Sequence, residues 1–266
     1  MKRVFLSLFV LGFSFFAADP CQAALLRISA PKIELDLSPG ESYSGEVSVE
    51  NPDPEEAKLK IYMEDWAYSS GVTGEKQFAP AGTMPLSSVK WISYAPALAT
   101  MPPYSKTVVR YTIQVPQDAK GGHYSVLFFE TMIGTSTSEG GASVIVAGRI
   151  GSLFYIRPKG TIDRRGEIVS VHVEAPSGSK PMTIETVFKN SGNTDITLGG
   201  NFLIMNEGGN ILGRGDIAKI YTFPGDTESR STQWVGRLPK GAYSLLLTYD
   251  LGEGKSLVKE ETLNVS

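Results

Sequence analysis

The sequence is 266 residues long, with 25 Lys and Arg against 28 Asp and Glu, a formal net charge of −3 and a single cysteine. Its basic residues are scattered singly, so the chain lacks the electrostatic footprint that a nucleic-acid partner needs. The length suits one large domain or two smaller ones, and either can bury a proper core.

The chain opens with "MKRVFLSLFVLGFSFFAADPCQA", in which Lys2 and Arg3 precede an uncharged apolar run from Val4 to Ala18. This pattern is that of a secretory signal peptide, too short in its apolar part to span a bilayer comfortably. Small residues Cys21 and Ala23 place the cleavage site after residue 23, so the exported chain is expected to begin at Ala24. A lipoprotein anchor would use Cys21, but Ala18, Asp19 and Pro20 match a lipobox poorly. Cleavage after Ala23 removes the only cysteine, and export without disulfides points to a bacterial envelope, with the periplasm as the expected location.

From Ala24 onward the chain alternates apolar and polar residues in short runs, such as "YSGEVSVEN", "TVVRYTIQV", "HYSVLFFE", "VSVHVEA" and "MTIETVFKN". Turn clusters separate them, among them "SPGES", "NPDPEE", "NSGNTD", "NEGGN" and "GEGK". No window of a dozen residues sustains apolar positions three and four apart, so the expected fold class is all-β sandwich. Two segments share an order of features: Met101 to Glu130 and Phe223 to Asp250 each run from a Pro-led turn through a strand, a Pro and Lys-Gly to Tyr-Ser before an apolar strand. The simplest account of the repeat is two immunoglobulin-like sandwiches in tandem, residues 24–159 and 160–266, with the boundary in "RPKGTIDRRGE" where Pro158 stops the ladder. Tyr124 and Tyr243 hold equivalent places in the repeat and read as tyrosines that pin a sandwich corner.

The strand before that boundary is "ASVIVAGRIGSLFYIRP". Val144, Val146, Ile150, Phe154 and Ile156 fall on one face of it and Ile145, Ala147, Leu153 and Tyr155 on the other. Two explanations are open: a strand buried on both sides in a seam, or a strand whose edge is offered to another chain.

The ending "LFYIRP" after a long apolar strand, together with "VSVENPDPEEAKLKIYMEDWAY" with its Asn51 turn and Trp66, resembles the periplasmic pilus-assembly chaperones, which carry a Phe-Tyr-Arg-Pro signature at this point. The resemblance covers most of residues 25 to 160, and the two-domain layout extends it to the C-terminus. It implies that the chain holds a secreted or pilus-type subunit by lending this strand to an incomplete immunoglobulin-like fold. Residues 143 to 156 would be the donated stretch, with Val144, Val146, Ile150 and Phe154 as inserting side chains. It also implies a terminal-carboxylate contact from two basic residues. The first-strand match is Lys32, with Arg27 second to it; the long-strand position holds Ser152, with Arg149 three residues earlier, and Ile156 splits the signature. The stretch "MIGTSTSEGGASV" that precedes the strand is a flexible Ser/Gly/Thr loop.

Nothing in the sequence assembles an active site. His123 sits beside two glycines and His172 alternates with valines, so both read as sheet filling. Zinc lacks ligands, and "NPDPEE" lacks the oxygen-ligand spacing of a calcium loop, which leaves a solvated turn. Glu64 and Asp65 project to opposite faces of a strand, where they cannot act as an acid–base pair. Trp66, Trp91 and Trp234 lie in unrelated segments, and core packing of each outweighs a sugar-binding face. The expectation is a non-enzymatic exported protein without cofactor or metal, with subunit binding by strand donation as its function and possible self-association through the same edge. The alternative is a non-catalytic envelope module that binds peptidoglycan or a surface protein through loops.

Overall fold

The computed structural model describes residues 26–71, 74–137 and 143–265, with the side chains of 134–137 and 143–145 outside the description. The signal peptide expected at 1–23 lies outside the described residues, and the segment 132–144 read as a loop is mostly strand, with 132–137 in β9 and 143–144 in β10 and only 138–142 outside the description.

Ten strands precede the Pro158 boundary: β1 (Arg27–Ile28), β2 (Lys32–Leu37), β3 (Ser42–Glu50), β4 (Ala57–Tyr68), β5 (Lys76–Pro80), β6 (Ile92–Ala95), β7 (Leu98–Met101), β8 (Lys106–Gln114), β9 (His123–Thr137) and β10 (Ser143–Pro158). Eight follow: β11 (Gly166–Glu174), β12 (Met182–Asn190), β13 (Ile196–Met205), β14 (Ile211–Asp216), β15 (Ile220–Thr222), β16 (Thr227–Trp234), β17 (Gly241–Gly252) and β18 (Lys255–Val265). The one helical piece among the described residues is a 3-10 turn at Val89–Trp91.

The strands form two sandwiches, because each long strand presents apolar side chains to one face and needs a second sheet to bury them. In the first, the sheet β1-β3-β8-β6 faces a six-stranded sheet ordered β2-β10-β9-β4, with β5 and β7 both paired to the far side of β4. Val47, Val49, Leu59, Ile61, Val109, Ile113, Leu127, Phe129, Phe154 and Ile156 fill the space between them. In the second, β11-β12-β16 faces β14-β13-β17-β18 around Ile184, Phe188, Leu198, Phe202, Leu245, Leu247 and Tyr249.

The N-terminal segment serves both sheets of the first sandwich. It pairs with β3 as β1, crosses at Ser29–Pro31, and then runs parallel to β10 as β2. The Leu153 N–H donates to the Pro31 carbonyl at the crossing (3.0 Å). Antiparallel pairing of β9 with β10 extends from Ser143 against Thr137 to Ile156 against His123, with a register shift at Val146/Ala147 that leaves Ile133 unpaired.

Several single residues have local roles. Tyr243 pins its own corner as expected, its hydroxyl donating to the Pro239 carbonyl (2.7 Å). Tyr124 does something else, taken up below. Asn51, rather than the acids beside it, organises the "NPDPEE" turn: its amide donates to the carbonyls of Glu55 (2.8 Å) and Pro102 (3.1 Å), and its Oδ1 accepts the Asp53 N–H. Asp65 points inward, fully buried, and accepts the backbone N–H groups of Thr83 (2.7 Å) and Met84 (2.8 Å). Glu64 points the other way, as period-two alternation requires. His123 packs against Trp91 with ring centroids 4.1 Å apart and the rings tilted by 44°, and burial holds its pKa below the ordinary value.

The core places one prediction at Phe154, which is fully buried and meets Tyr111 edge-on at 5.0 Å. Phe154→Ala should cost about 3–5 kcal/mol of unfolding free energy, read from urea denaturation, because the closely packed site can collapse only in part.

Candidate functional site: the long edge strand and the cleft beside it

β10 has two halves with different surroundings. From Leu153 to Pro158 it lies between β9 and β2. From Ser143 to Gly151 it pairs with β9 alone, and no described strand covers its other edge. A row of backbone N–H and C=O groups along that edge is therefore left for water or for an incoming strand.

The edge borders the outer face of the six-stranded sheet. Cross-strand register aligns Leu98, Lys60, Glu130 and Arg149 in one row, and Tyr62, Phe128 and Gly151 in the next. Arg149 sits over Phe128, its guanidinium carbon 4.1 Å from the ring centroid, with the Phe78 ring centroid at 5.3 Å. Its Nη1 donates to both carboxylate oxygens of Glu64 (3.1 and 3.2 Å) and to the Tyr62 hydroxyl (3.3 Å), which in turn donates to Glu130 (2.6 Å). The hydrogen bond to Tyr62 and the Glu64 charge outweigh burial and raise the Arg149 pKa above its ordinary value. Gly151 is required here, since a Cβ at that position would sit 2.7 Å from Val126 and 3.0 Å from Phe128. The bare backbone lets Phe128 lie across β10 and support Arg149.

Further along the same face the second sandwich closes over the sheet. Trp66, Tyr124, Val126, Phe128, Tyr155 and Phe223 form a separate apolar cluster, in which Phe223 comes from the second sandwich. Phe223 stacks on Tyr124 with centroids 4.2 Å apart and touches Trp66 at 5.1 Å. The Tyr124 hydroxyl reaches across the junction, accepting the Asp195 N–H (2.6 Å) and donating to the Asp195 carboxylate (3.1 Å). The same carboxylate accepts from Arg157 Nε and Nη2 at 3.1–3.2 Å, a largely buried pair whose side chains are 13% and 8% exposed. Burial opposes charge on Arg157, but Asp195 and Glu34 outweigh it and raise the guanidinium pKa. Burial likewise pushes the pKa of Tyr124 and Tyr155 far up and that of Tyr68 to about 12.

No family model and no curated protein matches the chain. Solved pilus chaperones do. The chain is similar to the Class 5 fimbriae chaperone CfaA at 15% identity and TM-score 0.46, over 89% of this chain and 99% of that one. It is similar at 12% identity and TM-score 0.42 to a chain from the Salmonella enterica SafA pilin–SafB chaperone complex, over 90% and 97% of the two chains. A chain from the CsuC–CsuE chaperone and tip-subunit complex of Acinetobacter baumannii Csu pili gives 15% identity and TM-score 0.43, over 89% and 98%.

The residues named from sequence fall in different places. Val146 is 46% exposed on the open half of β10, and Ile150 is half-buried against the first core. Val144 pairs opposite Ser136, and its side chain lies outside the description. Phe154 requires correction: it is fully buried between the sheets and cannot insert into a partner without unfolding the sandwich. The open stretch is also shorter than residues 143 to 156, because β2 occupies the edge from Leu153 onward. Lys32 and Arg149 lie on the same face but two rows apart. Lys32 pairs with Glu34 at 3.0 Å and sits 4.4 Å from the Tyr155 ring centroid. Ser152, at the position where the resemblance expects a base, is buried and donates to the Ala30 carbonyl (2.7 Å). Sequence reasoning missed Asp195, Glu34, Tyr62 and Phe128. Period-two alternation gave a signal for the last two; nothing local pointed from Arg157 to Asp195.

Two measurements follow from this geometry. Asp195→Ala strands Arg157 with only the half-exposed Glu34, and should cost about 3 kcal/mol in denaturant unfolding. Glu34 is subject to burial, which raises its pKa, yet hydrogen bonds from Lys32 and Arg157 prevail and hold it below its ordinary 4.5. Its stabilising contribution is therefore complete above that value and is lost as the pH falls through the lower folded value. Glu34→Gln should flatten the acid limb of the stability profile in that window, read by thermal melts from pH 6 downward.

Proposed function

We propose that this protein is an exported, non-catalytic, chaperone-like protein of two immunoglobulin-like domains, residues 24–159 and 160–266. Its occupant is an extended segment of a secreted or pilus-type subunit, added as a strand along β10 between residues 143 and 151. The observation that carries this reading is the open half of β10, whose edge away from β9 lacks a strand partner among the described residues. Main-chain hydrogen bonds to that edge give affinity without regard to sequence, and alternate side chains give selection. Val146 is placed to contact the incoming strand, with Val144 and Ile150 on the same parity of β10. Lys32 and Arg149 are the cations available to a terminal carboxylate, each by exchange of its present ion pair.

The "LFYIRP" ending supports the reading, as does the division of β10, because a strand clamped at one end is a stable base for pairing at the other. Self-association is the competing use of the same edge, and the occupant settles the choice: a second copy gives a symmetric dimer, a subunit a heterodimer.

The test is native mass spectrometry of the protein from the periplasm of its own host, with hydrogen exchange on the isolated complex. A stoichiometric companion that protects amides of residues 143–151 is the expected result, and Val146→Asp should abolish the companion while leaving the melting curve unchanged. A monomer, or a companion retained by Val146→Asp with residues 143–151 still exchanging freely, would overturn strand addition and bring forward envelope binding through loops.

A further inference from the structure

The second sandwich carries a built groove at its end remote from the junction. Asn190, at one end of β12, exchanges backbone hydrogen bonds with Gly225 and Asp226 near the junction. Met182, at the other end, pairs with Trp234, about 25 Å away at the rise of a strand. Beyond that pair, the turn between β11 and β12 faces the segment after β16 across a groove of about 370 Å³. Pro176, Pro181, Val235 and Leu238 give it apolar walls, and Lys180 and Arg237 are its only charged residues.

Three features make this more than a surface irregularity. The walls are fixed: Ser177 and Lys180 exchange backbone hydrogen bonds at 2.9 and 3.2 Å, and the Trp234 ring fills the space where a Cβ on Gly236 would stand. The same ring lies 2.6 Å from a Cβ position on Gly213, so it bridges from the loop to β14. Next, Val235 is 87% exposed, and Ile211 and Leu212, next to Gly213 on β14, are 58% and 45% exposed. Apolar side chains gathered at one end of a domain mark a contact surface. Finally, neither the Lys180 nor the Arg237 side chain has an ion-pair or hydrogen-bond partner among the described residues. Two unpaired cations on an apolar groove without a balancing acid are complementary to one chemistry.

We propose that this groove docks an acidic, partly apolar segment of a protein partner. Carboxylates of the segment meet Lys180 and Arg237, and an apolar side chain enters between the two prolines against Val235. The volume, at the small end of ligand pockets, accommodates a few residues of extended peptide. Exposed charge pairs are weak singly, so the groove selects by charge and adds to affinity gained elsewhere. The site is separate from β10 and does not depend on the strand-addition reading.

Fluorescence anisotropy of the full protein tests it, with fluorescein-labelled Asp-Leu-Glu-Val-Asp-Leu and the same peptide with lysine at each acidic position. The acidic probe should bind saturably and the lysine probe should not. Lys180→Glu and Arg237→Glu should each weaken binding about fivefold at low salt, and Arg237→Gln somewhat less. Val146→Asp should leave it unchanged, which separates the groove from β10. Absence of saturable binding, equal binding of both probes, or binding indifferent to Lys180→Glu, Arg237→Glu and Arg237→Gln would overturn the proposal. So would co-sedimentation with phosphatidylglycerol vesicles that is lost in Arg237→Glu while the acidic peptide fails to bind, since the surface would then be a lipid contact.

Discussion

The carboxylate of Asp195 is the point on which the arrangement of the two sandwiches depends. It belongs to the second sandwich and is met there by a tyrosine and an arginine of the first, from adjacent strands β9 and β10. A charged pair taken this far out of water is costly unless every remaining acceptor is occupied. Asp195 meets that condition, with Tyr124, Thr194 and Arg157 all donating to it. Aromatic rings then seal the surroundings: Phe223 on Tyr124, and Trp66 edge-on to Tyr155 at 5.1 Å. The polar contacts give the junction its direction, and the rings exclude the water that would weaken them.

That junction bears directly on the edge strand. Arg157 and Tyr155 are the last turns of the pleat of β10, so the strand is held at its C-terminal end by the second sandwich on one face and by the first core on the other. β2 adds a third constraint along the edge. The half of β10 upstream is thereby presented from a rigid base rather than hung from a loop. Arg149 on Phe128, fixed by Glu64 and Tyr62, gives that half an ordered flank.

The sequence and the structure agree where signals are local or periodic. Alternation marked the strands and placed Glu64 and Asp65 on opposite faces, and Pro158 with the charges after it marked the end of the long ladder. The buried-seam explanation describes the half of the long strand from Leu153 onward, while the half before it has an edge that no described strand covers. Alternation alone could not divide them, because Phe154 and Val146 share a parity and differ only in whether the facing sheet extends far enough to cover them. Tyr124 shows the same limit. Its place in the repeat matches Tyr243, yet Tyr243 bonds within its own corner and Tyr124 bonds to a residue 71 positions away. Contacts of that separation leave no mark on the neighbouring sequence, and neither does the backbone at Gly151, where an absent side chain makes room for Phe128.

The sheet-switching N-terminal segment has a consequence in time. β2 is the second strand to appear in the chain, and its partner β10 is the last of its sandwich, so Ile33 waits for Phe154 before it can be covered. A chain that emerges N-terminus first leaves this apolar strand without a neighbour until about residue 158 is free. Closure of the sandwich is then a late, non-local event of the slow kind that β topologies impose. During that interval the vacancy beside β2 is in the same sheet as the edge beside β10, so the unfinished sandwich has two unpaired strand edges rather than one.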